Sequence, residues 1–168
     1  MRIIDFTGQE NIRSEGHTSK GDQPKWKQAG NWYKADHMGY EALSEIIVSR
    51  LLAWSDADDF VSYQPVRIHY NGKVVSGCSS RDFMRKGEML IPFERLHRAY
   101  EGRGLAQTLT RVDSPTARIA YTVDFVERVT NLTGVGAYLT SILELDCLTL
   151  NEDRHTNNLA VLRNEETK

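Results

Sequence analysis

The sequence has few cysteines and no long apolar segment. Its two cysteines, Cys78 and Cys147, lie far apart and form no C-x-x-C pair, so no disulfide framework is indicated and a reducing, intracellular compartment is favoured. No apolar run is longer than four residues, whereas a membrane-spanning helix needs about 20. Asp5 stands too early for the apolar core of a signal peptide. These absences predict a cytoplasmic protein with no membrane contact, although secretion by a route without a signal peptide stays open.

Neither sign of charge is in excess. Lysine and arginine total 21 against 23 acidic residues, which gives a net charge of −2. A protein that binds nucleic acid through its phosphates usually has a clear basic excess, so we expect no direct nucleic-acid binding. The 168 residues, of which 40% are hydrophobic, suffice for a globular core that needs no disulfide or structural metal.

The first half of the chain has strand patterns and one helical pattern. Short strands are predicted at 2–6 and 31–35, with a polar, glycine-containing loop at 14–30 between them. A helical pattern follows Gly39 and runs to Trp54. The charged residues of this helix mostly take one side, and the other side holds the apolar positions that recur at helical spacing, Leu43, Ile46, Ile47, Leu51 and Trp54.

A β-hairpin is predicted next. The β-rich runs 66–70 and 73–77 flank the dipeptide Asn71-Gly72. Asn-Gly between such runs is a strong hairpin signal, because both central residues of the tight turn must tolerate positive φ.

The second half of the chain has mainly helical patterns. Pro92 stands where a first helix would start, and Ser114-Pro115 resembles a cap followed by a first-turn proline. That second helix would run through Asn131, and a third is predicted at about 137–149. A polar loop and a short apolar strand follow.

These patterns predict two lobes. A β-rich lobe with one helix at 1–90 and a helical lobe at 91–168 make an α+β arrangement. We expect the chemistry in a cleft between such lobes.

The segment 151–158 carries the most chemical information. It places Asp153 and Asn158 on one short polar loop. An acid there can orient or deprotonate an attacking hydroxyl, and an amide oxygen can bind Mg²⁺, which together serve phosphoryl transfer. From the residues alone, the alternative is a polar helix-to-strand turn whose side chains only cap backbone groups.

The run LNEDRHTNNL, from Leu150 to Leu159, resembles the N-x-D-R-H-x-x-N catalytic loop of the HipA-like serine/threonine kinases. This bacterial family includes toxins of toxin–antitoxin pairs and CtkA-type secreted kinases. Three further segments are similar to its phosphate loop, its lysine strand and the helix that holds the acidic partner of the lysine: GDQPK at 21–25, WYKAD at 32–36 and YEALSE at 40–45. The resemblance spans about residues 14 to 163. It implies a bilobal, protein-kinase-like fold with ATP and Mg²⁺ as cofactors.

The resemblance also implies a role for individual residues. Lys34 would hold the α- and β-phosphates, with Glu41 as its favoured acidic partner and Glu45 as the alternative. Asp153 would orient the hydroxyl, and the carbonyl oxygen of Asn158 would bind Mg²⁺. The remaining candidates are the loop-bracing His155 and the cofactor-binding residues Thr18, Ser19, Lys20, Gly21, Gln23 and Lys25.

Other interpretations of these segments stay open. The lysines around Gly21 also fit a solvated basic loop, and Lys34 also fits an exposed strand lysine. Residues 77–83 fit either an inter-lobe hinge that offers backbone groups to adenine or a plain connector. No two of the five histidines have metal-ligand spacing, which disfavours a transition-metal site. Thr18 and Ser19 are candidates for a regulatory phosphorylation that the resemblance suggests.

One element of the family is absent. Kinases use a second metal-binding acid, the Asp of a DFG-like segment, and no Asp follows Asp153. We therefore expect a piece of a longer kinase, a chain completed by a partner such as an antitoxin or a missing C-lobe segment, or a chain that does not catalyse. Apolar surface would then be exposed on the helices at 115–149.

Three functions follow as hypotheses. The first is ATP-dependent phosphoryl transfer to serine or threonine of a protein substrate. The second is a nucleotide-binding pseudokinase or interaction module, and the third is a small-molecule or lipid phosphotransferase. The first rests on one expectation, that Asp153, Asn158 and Lys34 face a common cleft.

Overall fold

The computed structural model describes residues 2–12 and 23–165. The chain divides between Arg85 and Lys86 into two compact units, and each has its own hydrophobic cluster. A sheet with one helix comes first, and a stretch with most of the helices follows. This arrangement confirms the predicted α+β class.

The N-terminal unit, which ends at Arg85, is built on a five-stranded sheet. Its elements are β1 (Ile3–Asp5), β2 (Lys25–Gln28), β3 (Asn31–Ala35), α1 (Glu41–Leu52), β4 (Gln64–Tyr70) and β5 (Lys73–Arg81). The strand order is β1-β4-β5-β3-β2. Strand β1 runs parallel to β4, and the other neighbours are antiparallel. Strand β5 therefore lies at the centre of the sheet, between β3 and β4.

The β4–β5 hairpin confirms the Asn-Gly signal. Asn71 and Gly72 have φ of 48° and 70°, so both occupy the left-handed region that a two-residue primed turn requires. Their flanking residues Tyr70 and Lys73 are paired across the hairpin.

The prediction of a loop at 14–30 is wrong for its last part. Residues Lys25–Gln28 form β2, which pairs antiparallel with β3 through a turn at Ala29-Gly30. Only Trp26 of this strand is buried. Because the strand is short and mostly polar, its pairing with β3 defines it more than its own pattern does.

The sheet is strongly curled. The ring of Phe6, just after β1, stacks on the ring of Trp26 in β2 with 4.8 Å between centroids and 3° between planes. Since β1 and β2 are the two ends of the strand order, the sheet must curl until its edges approach. The buried residues of this cluster are Ile4, Phe6, Trp26, Ala35, Val66 and Ile68.

Helix α1 packs on the sheet with small residues. Its buried residues are Ala42 and Ser49, whereas Leu43 and Ile47 are 58% and 48% exposed. An apolar side of this kind normally marks the face that a helix buries. Here most of that side is in solvent.

The C-terminal unit, which starts at Lys86, combines helices with a two-stranded ribbon. Its elements are β6 (Glu88–Pro92), α2 (Phe93–Glu101), α3 (Leu105–Leu109), α4 (Pro115–Thr130), α5 (Val135–Thr149) and β7 (Ala160–Asn164). Strands β6 and β7 pair antiparallel. The strand β6 and the short helix α3 have no counterpart in the sequence prediction.

Local signals explain the ends of the longer helices. The Ser114 side chain accepts a hydrogen bond from the Ala117 N–H at the start of α4, with Pro115 in the first turn. Gly102, at φ 71°, ends α2 in the left-handed conformation. The core of this unit holds Phe93, Leu96, Leu105, Phe125, Val126, Val135 and Leu139.

The start of α2, just after β6, holds the segment between α5 and β7 at the end that leads into β7. The N–H of Phe93 donates to the carbonyl of Leu159 (2.8 Å), and the N–H of Glu94 donates to that of Thr156 (3.3 Å). The polar loop that carries Asp153 is thereby attached to the start of α2. In the described part of the chain, every helix is too short or too polar to cross a membrane.

Candidate functional site

Lys34 is the central cation of the N-terminal unit. It lies on β3 directly opposite the buried Cys78 of β5, and its side chain is 21% exposed. Its ammonium group forms an ion pair with Glu45 of α1 and donates to the hydroxyl of Tyr63 at 3.0 Å. The same nitrogen lies 4.8 Å from the centroid of the Tyr63 ring. The interpretation of Lys34 as an exposed strand lysine therefore does not hold.

The environment keeps this lysine charged. Burial lowers the pKa of Lys34, but the Glu45 carboxylate and the Tyr63 oxygen more than offset it, so the net pKa lies above the ordinary value. For the Tyr63 phenol, burial has the opposite effect and raises the pKa above its ordinary value. At neutral pH the phenol is thus protonated, and its oxygen accepts from the ammonium group. An ammonium has three donors, and among the described residues Glu45 and Tyr63 accept from two of those of Lys34.

Glu41, the favoured partner of Lys34, is used elsewhere, so that expectation is corrected. Its carboxylate accepts hydrogen bonds from the N–H groups of Met38 (2.8 Å), Gly39 (3.0 Å) and Tyr40 (3.2 Å). These lie just ahead of α1, where backbone donors lack helical partners. Burial raises the pKa of Glu41, yet these hydrogen bonds lower it overall.

Two buried polar groups hold α1 and Tyr63 in place. Asp36 is 7% exposed and accepts from the Ala42 N–H at 2.6 Å, which fixes the first turn of α1. Burial raises the pKa of Asp36 despite this hydrogen bond. The Ser49 hydroxyl accepts from the N–H of Tyr63 at 3.2 Å. The Lys34 contacts therefore depend on residues on three segments.

The segment 77–83 is mostly strand. Residues 77–81 belong to β5, so the plain-connector interpretation does not describe them, and the hinge interpretation stays a prediction. After the strand, the Asp82 N–H donates to the carbonyl of Gly30 at 2.9 Å, and its carboxylate pairs with Lys27 at 2.5 Å. Backbone binding of adenine at this segment stays a prediction.

Of the phosphate-loop candidates, the structure describes Gln23 and Lys25. Thr18, Ser19, Lys20 and Gly21 lie outside the described residues. The side-chain nitrogen of Gln23 is buried without a hydrogen-bond partner among the residues described. A buried donor of this kind is costly unless something accepts from it.

Lys25 shares a sheet face with Lys34. The two residues are directly opposite each other across β2 and β3, and opposite residues of an antiparallel pair point to the same side of the sheet. Two lysines and a buried amide donor therefore belong to one end of the β2–β3 hairpin, which is a suitable set for phosphate oxygens.

The loop of the C-terminal unit holds Asp153 and Asn158 together. The Asn158 side-chain N–H donates to the backbone carbonyl of Asp153 at 2.7 Å, which fixes the amide group. Within the described ranges, neither the Asp153 carboxylate nor the Asn158 side-chain oxygen accepts a hydrogen bond. Both oxygen groups therefore remain available to a ligand.

An ion pair braces this loop from α5. The carboxylate of Asp146, which is 8% exposed, accepts from Nε and an Nη of Arg154 at 2.7 and 2.9 Å. It also accepts from the side chain of Asn151 at 2.7 Å. The hydrogen bonds from Arg154 hold the pKa of Asp146 below its usual range.

A second brace comes from α2. The Glu94 carboxylate accepts from the Thr156 hydroxyl and from the Ala106 N–H, each at 2.9 Å. His155 makes two hydrogen bonds within the loop. Its Nδ1 accepts from the Asn157 N–H at 3.2 Å, and its backbone carbonyl accepts from the Asn158 N–H at 2.9 Å. The loop is thus tied to both α5 and α2.

Sequence reasoning missed four residues that support these sites. Tyr63 lies outside any recognisable motif, Asp36 ends the WYKAD segment without a role of its own in the prediction, and Glu94 is one of several charged positions on α2. Asp146 had a signal, because an acid at the end of an apolar helix pattern is costly to bury without a partner. The full set is Asp36, Tyr63, Glu94 and Asp146.

Asp153 and Asn158 are the candidate metal-binding residues of the loop. Over 2–12 and 23–165, no group of three or more His, Cys, Asp and Glu side chains could hold a metal ion. The amide oxygen of Asn158 and the carboxylate of Asp153 fit Mg²⁺ in donor type, since this ion takes few protein oxygens and keeps several waters.

Comparison with known proteins gives a similarity in fold. No protein-family model and no curated protein sequence matches the chain. Among solved structures, the chain is similar to the proinflammatory kinase CtkA of Helicobacter pylori, with a TM-score of 0.54 and 19% identity. The similarity covers 99% of this chain and 57% of that protein, so the chain spans little more than half its length. The fold is therefore kinase-like.

Proposed function

We propose that this chain belongs to an ATP-dependent protein kinase of HipA-like type, which transfers a phosphoryl group to serine or threonine of a protein substrate. The observation that carries the proposal is the ion pair between Lys34 and Glu45 in a kinase-like fold. A lysine on an inner strand of the sheet, paired with a glutamate on the helix of the same lobe, is how protein kinases hold nucleotide phosphates.

Lys34 would bind the phosphates through the N–H group of its ammonium that donates to neither Glu45 nor Tyr63. Glu45 and Tyr63 fix the ammonium group and keep it charged. Gln23 and Lys25, at the same end of the β2–β3 hairpin, supply further donors. The residues of the predicted phosphate loop, Thr18 to Gly21, would complete this set.

Asp153 and Asn158 would act on the same nucleotide. The Asp153 carboxylate would accept or orient the proton of the attacking hydroxyl, and the Asn158 oxygen would be a ligand of Mg²⁺. Bound Mg²⁺ supplies neutralisation of the phosphate charge. Asp146 and Glu94 hold the loop in which these two groups lie.

A second function is a nucleotide-binding module that transfers no phosphate. The observation in its favour is that the contacts of Lys34 with Glu45 and Tyr63 serve nucleotide binding whether or not a phosphoryl group is transferred. A toxin–antitoxin role, a small-molecule substrate and a cytoplasmic location also remain proposals.

The proposal is tested by ATP titration calorimetry combined with transfer of labelled phosphate to a protein substrate. Lys34→Met should weaken ATP binding at least tenfold, whereas Lys73→Met, at the exposed start of β5, should leave it unchanged. Asp153→Asn should keep ATP binding and lose nearly all transfer.

The matched control for Asp153 is Asp124→Asn, an exposed acid of α4. Equal transfer by Asp153→Asn and the unmodified chain would refute the kinase assignment. ATP binding through Lys34 with no transfer in the unmodified chain would favour the nucleotide-binding module.

A further inference from the structure

The solvent side of α1 carries a continuous apolar stripe. Tyr40 and Leu43 are each 58% exposed, Ile47 is 48%, Leu51 is 37% and Trp54 is 86%. Leu43, Ile47 and Leu51 are four residues apart, which places them on one face of α1, and Tyr40 and Trp54 flank this row just before and just after the helix. Single exposed apolar residues are ordinary, but a contiguous row of this kind marks an interaction site.

The opposite side of α1 holds the helix on the sheet through both apolar and polar contacts. Its buried residues are Ala42 and Ser49, and three further apolar residues are half-buried: Ile46, Val48 and Leu52. The polar contacts are those of Asp36 with the Ala42 N–H and of Glu45 with Lys34. A partner that covers the stripe would bury apolar surface of α1 that is otherwise exposed.

The charge beside the stripe indicates what the partner carries. Three exposed acids, Asp56, Asp58 and Asp59, directly follow Trp54, and the stretch 51–66 contains no lysine or arginine. A basic segment would be attracted to this end of the stripe. An anionic lipid surface would be repelled by it.

The size of the stripe favours a single helix over a second copy of this chain. Helix α1 has 12 residues and is therefore about 18 Å long. One stripe of this length offers clearly less than the roughly 800 Å² per partner that a stable protein–protein interface buries. It does suit an amphipathic helix laid along it with apolar residues at positions i, i+3 or i+4, and i+7.

We propose that the stripe, formed by Tyr40, Leu43, Ile47, Leu51 and Trp54, is the docking site for a basic amphipathic helix of a partner protein. Apolar residues of that helix cover the stripe, and Lys or Arg residues at one of its ends pair with Asp56, Asp58 and Asp59. Since α1 carries Glu45, docking also stabilises the Glu45–Lys34 pair. This last consequence rests on the proposed function, whereas the docking itself does not.

The test is selection from a displayed library of 18-residue helical peptides, randomised at apolar and charged positions, on the purified chain without nucleotide. Selected peptides should have an apolar stripe and a basic end. Their dissociation constants should rise at least tenfold for L43S/I47S and for D56N/D58N/D59N. The matched control Ile119→Ser, at an exposed apolar residue of α4, should bind like the unmodified chain.

Several results would overturn the proposal. They are an empty selection, peptides without basic residues, or peptides that bind L43S/I47S unchanged. Sedimentation that shows a dimer in the unmodified chain and a monomer in L43S/I47S would assign the stripe to a second copy. Co-sedimentation with anionic vesicles that L43S/I47S abolishes would assign it to a membrane.

The link to the nucleotide site is measured separately. A saturating selected peptide should tighten ATP binding at least fivefold, and Glu45→Gln should remove this gain. If the peptide binds and ATP affinity does not change, the regulatory consequence is wrong. If the peptide binds and ATP never does, the docking site stands and the proposed kinase function fails.

Discussion

Gly77 of β5 lies directly against the backbone of Lys34 in β3. A Cβ atom at residue 77 would stand 2.5 Å from the Lys34 carbonyl oxygen and 2.7 Å from Cδ1 of Ile68. Real Cβ atoms do not approach a carbonyl oxygen so closely, so one of the strands would have to move. The position of Lys34 therefore depends on the absence of a side chain on the neighbouring strand.

Gly77→Ala should move β3 and with it the ammonium group of Lys34. We expect the free energy of unfolding to fall by about 1–3 kcal/mol, as for other overpacked interiors, and ATP affinity to fall with it. Chemical denaturation and ATP titration measure both. Ser76→Ala, one residue away with an exposed side chain, is the control and should change neither. Unchanged ATP affinity in Gly77→Ala would contradict the inferred coupling.

Glu45 and Glu41 should respond differently to the same substitution. Glu45→Gln removes the charge that opposes the effect of burial on the pKa of Lys34, so nucleotide binding should weaken about tenfold. Glu41→Gln alters a group that binds backbone N–H groups ahead of α1. It should cost about 0.5–1 kcal/mol of stability, as loss of a helix cap does, and leave ATP binding within twofold.

ATP titration and thermal unfolding of both variants separate the two roles. Each change removes one carboxylate charge from the same helix, so the pair controls for net charge. Equal losses of ATP affinity in the two variants would mean that the contact of Glu45 with Lys34 has no special part in binding.

The elements with local signals were predictable from the sequence. The Asn71-Gly72 turn and the Ser114-Pro115 helix start depend on the conformations of a few adjacent residues, and the structure confirms both. Strand β2 lacked such a signal, because a short polar strand is defined by its pairing with β3.

The partner of Lys34 could not be settled from sequence spacing. Glu41 and Glu45 are one helical turn apart and both fit the pattern. The structure separates them because Glu41 lies at the start of α1, where free backbone donors take its carboxylate, while Glu45 lies one turn later, over the sheet. Tyr63, the other contact of Lys34, precedes β4 without any motif and became visible only through the fold.

The face that α1 turns toward the sheet also differs from the one that its hydrophobic pattern predicts. Hydrophobic periodicity alone favours burial of Leu43 and Ile47, yet a helix that must present Glu45 to Lys34 turns its apolar side outward. The need of a half-buried lysine for an acidic partner thus outweighs the periodicity.

The ion pair between Asp146 and Arg154 should make stability depend on pH in the acid range. Hydrogen bonds from Arg154 keep the pKa of Asp146 below its ordinary value. The folded pKa is the lower one, so the carboxylate stabilises the fold above the unfolded pKa of about 4. This contribution is lost as the pH falls through the folded pKa.

Asp146→Asn should therefore lower the free energy of unfolding by about 1.5–3 kcal/mol at pH 7, the range for hydrogen bonds to charged groups. The difference from the unmodified chain should shrink as the pH falls below about 4. Urea denaturation over a pH series measures it. Asp124→Asn, whose carboxylate is exposed, should show no comparable difference, and a difference for Asp146→Asn that stays constant with pH would argue against the ion pair.

Gly104 should affect the stability of the loop that carries Asp153 and Asn158, because it lies against Glu94. A Cβ atom at residue 104 would overlap the Glu94 carboxylate, which accepts from the Thr156 hydroxyl and the Ala106 N–H. Gly104 has φ of −69° and ψ of 150°, which alanine adopts freely, so the backbone itself is not strained. Gly104→Ala therefore acts by displacing Glu94, and the loop around Thr156 should open more easily.

Hydrogen exchange of the amides at 150–159 measures this opening. We expect at least tenfold faster exchange in Gly104→Ala, with the exchange of α4 unchanged. Thr156→Val removes the same hydrogen bond from the other side, so the double variant should exchange little faster than either single one. Additive effects of the two substitutions would show that Gly104 and Thr156 act independently, because only a shared Glu94 contact makes the second change redundant.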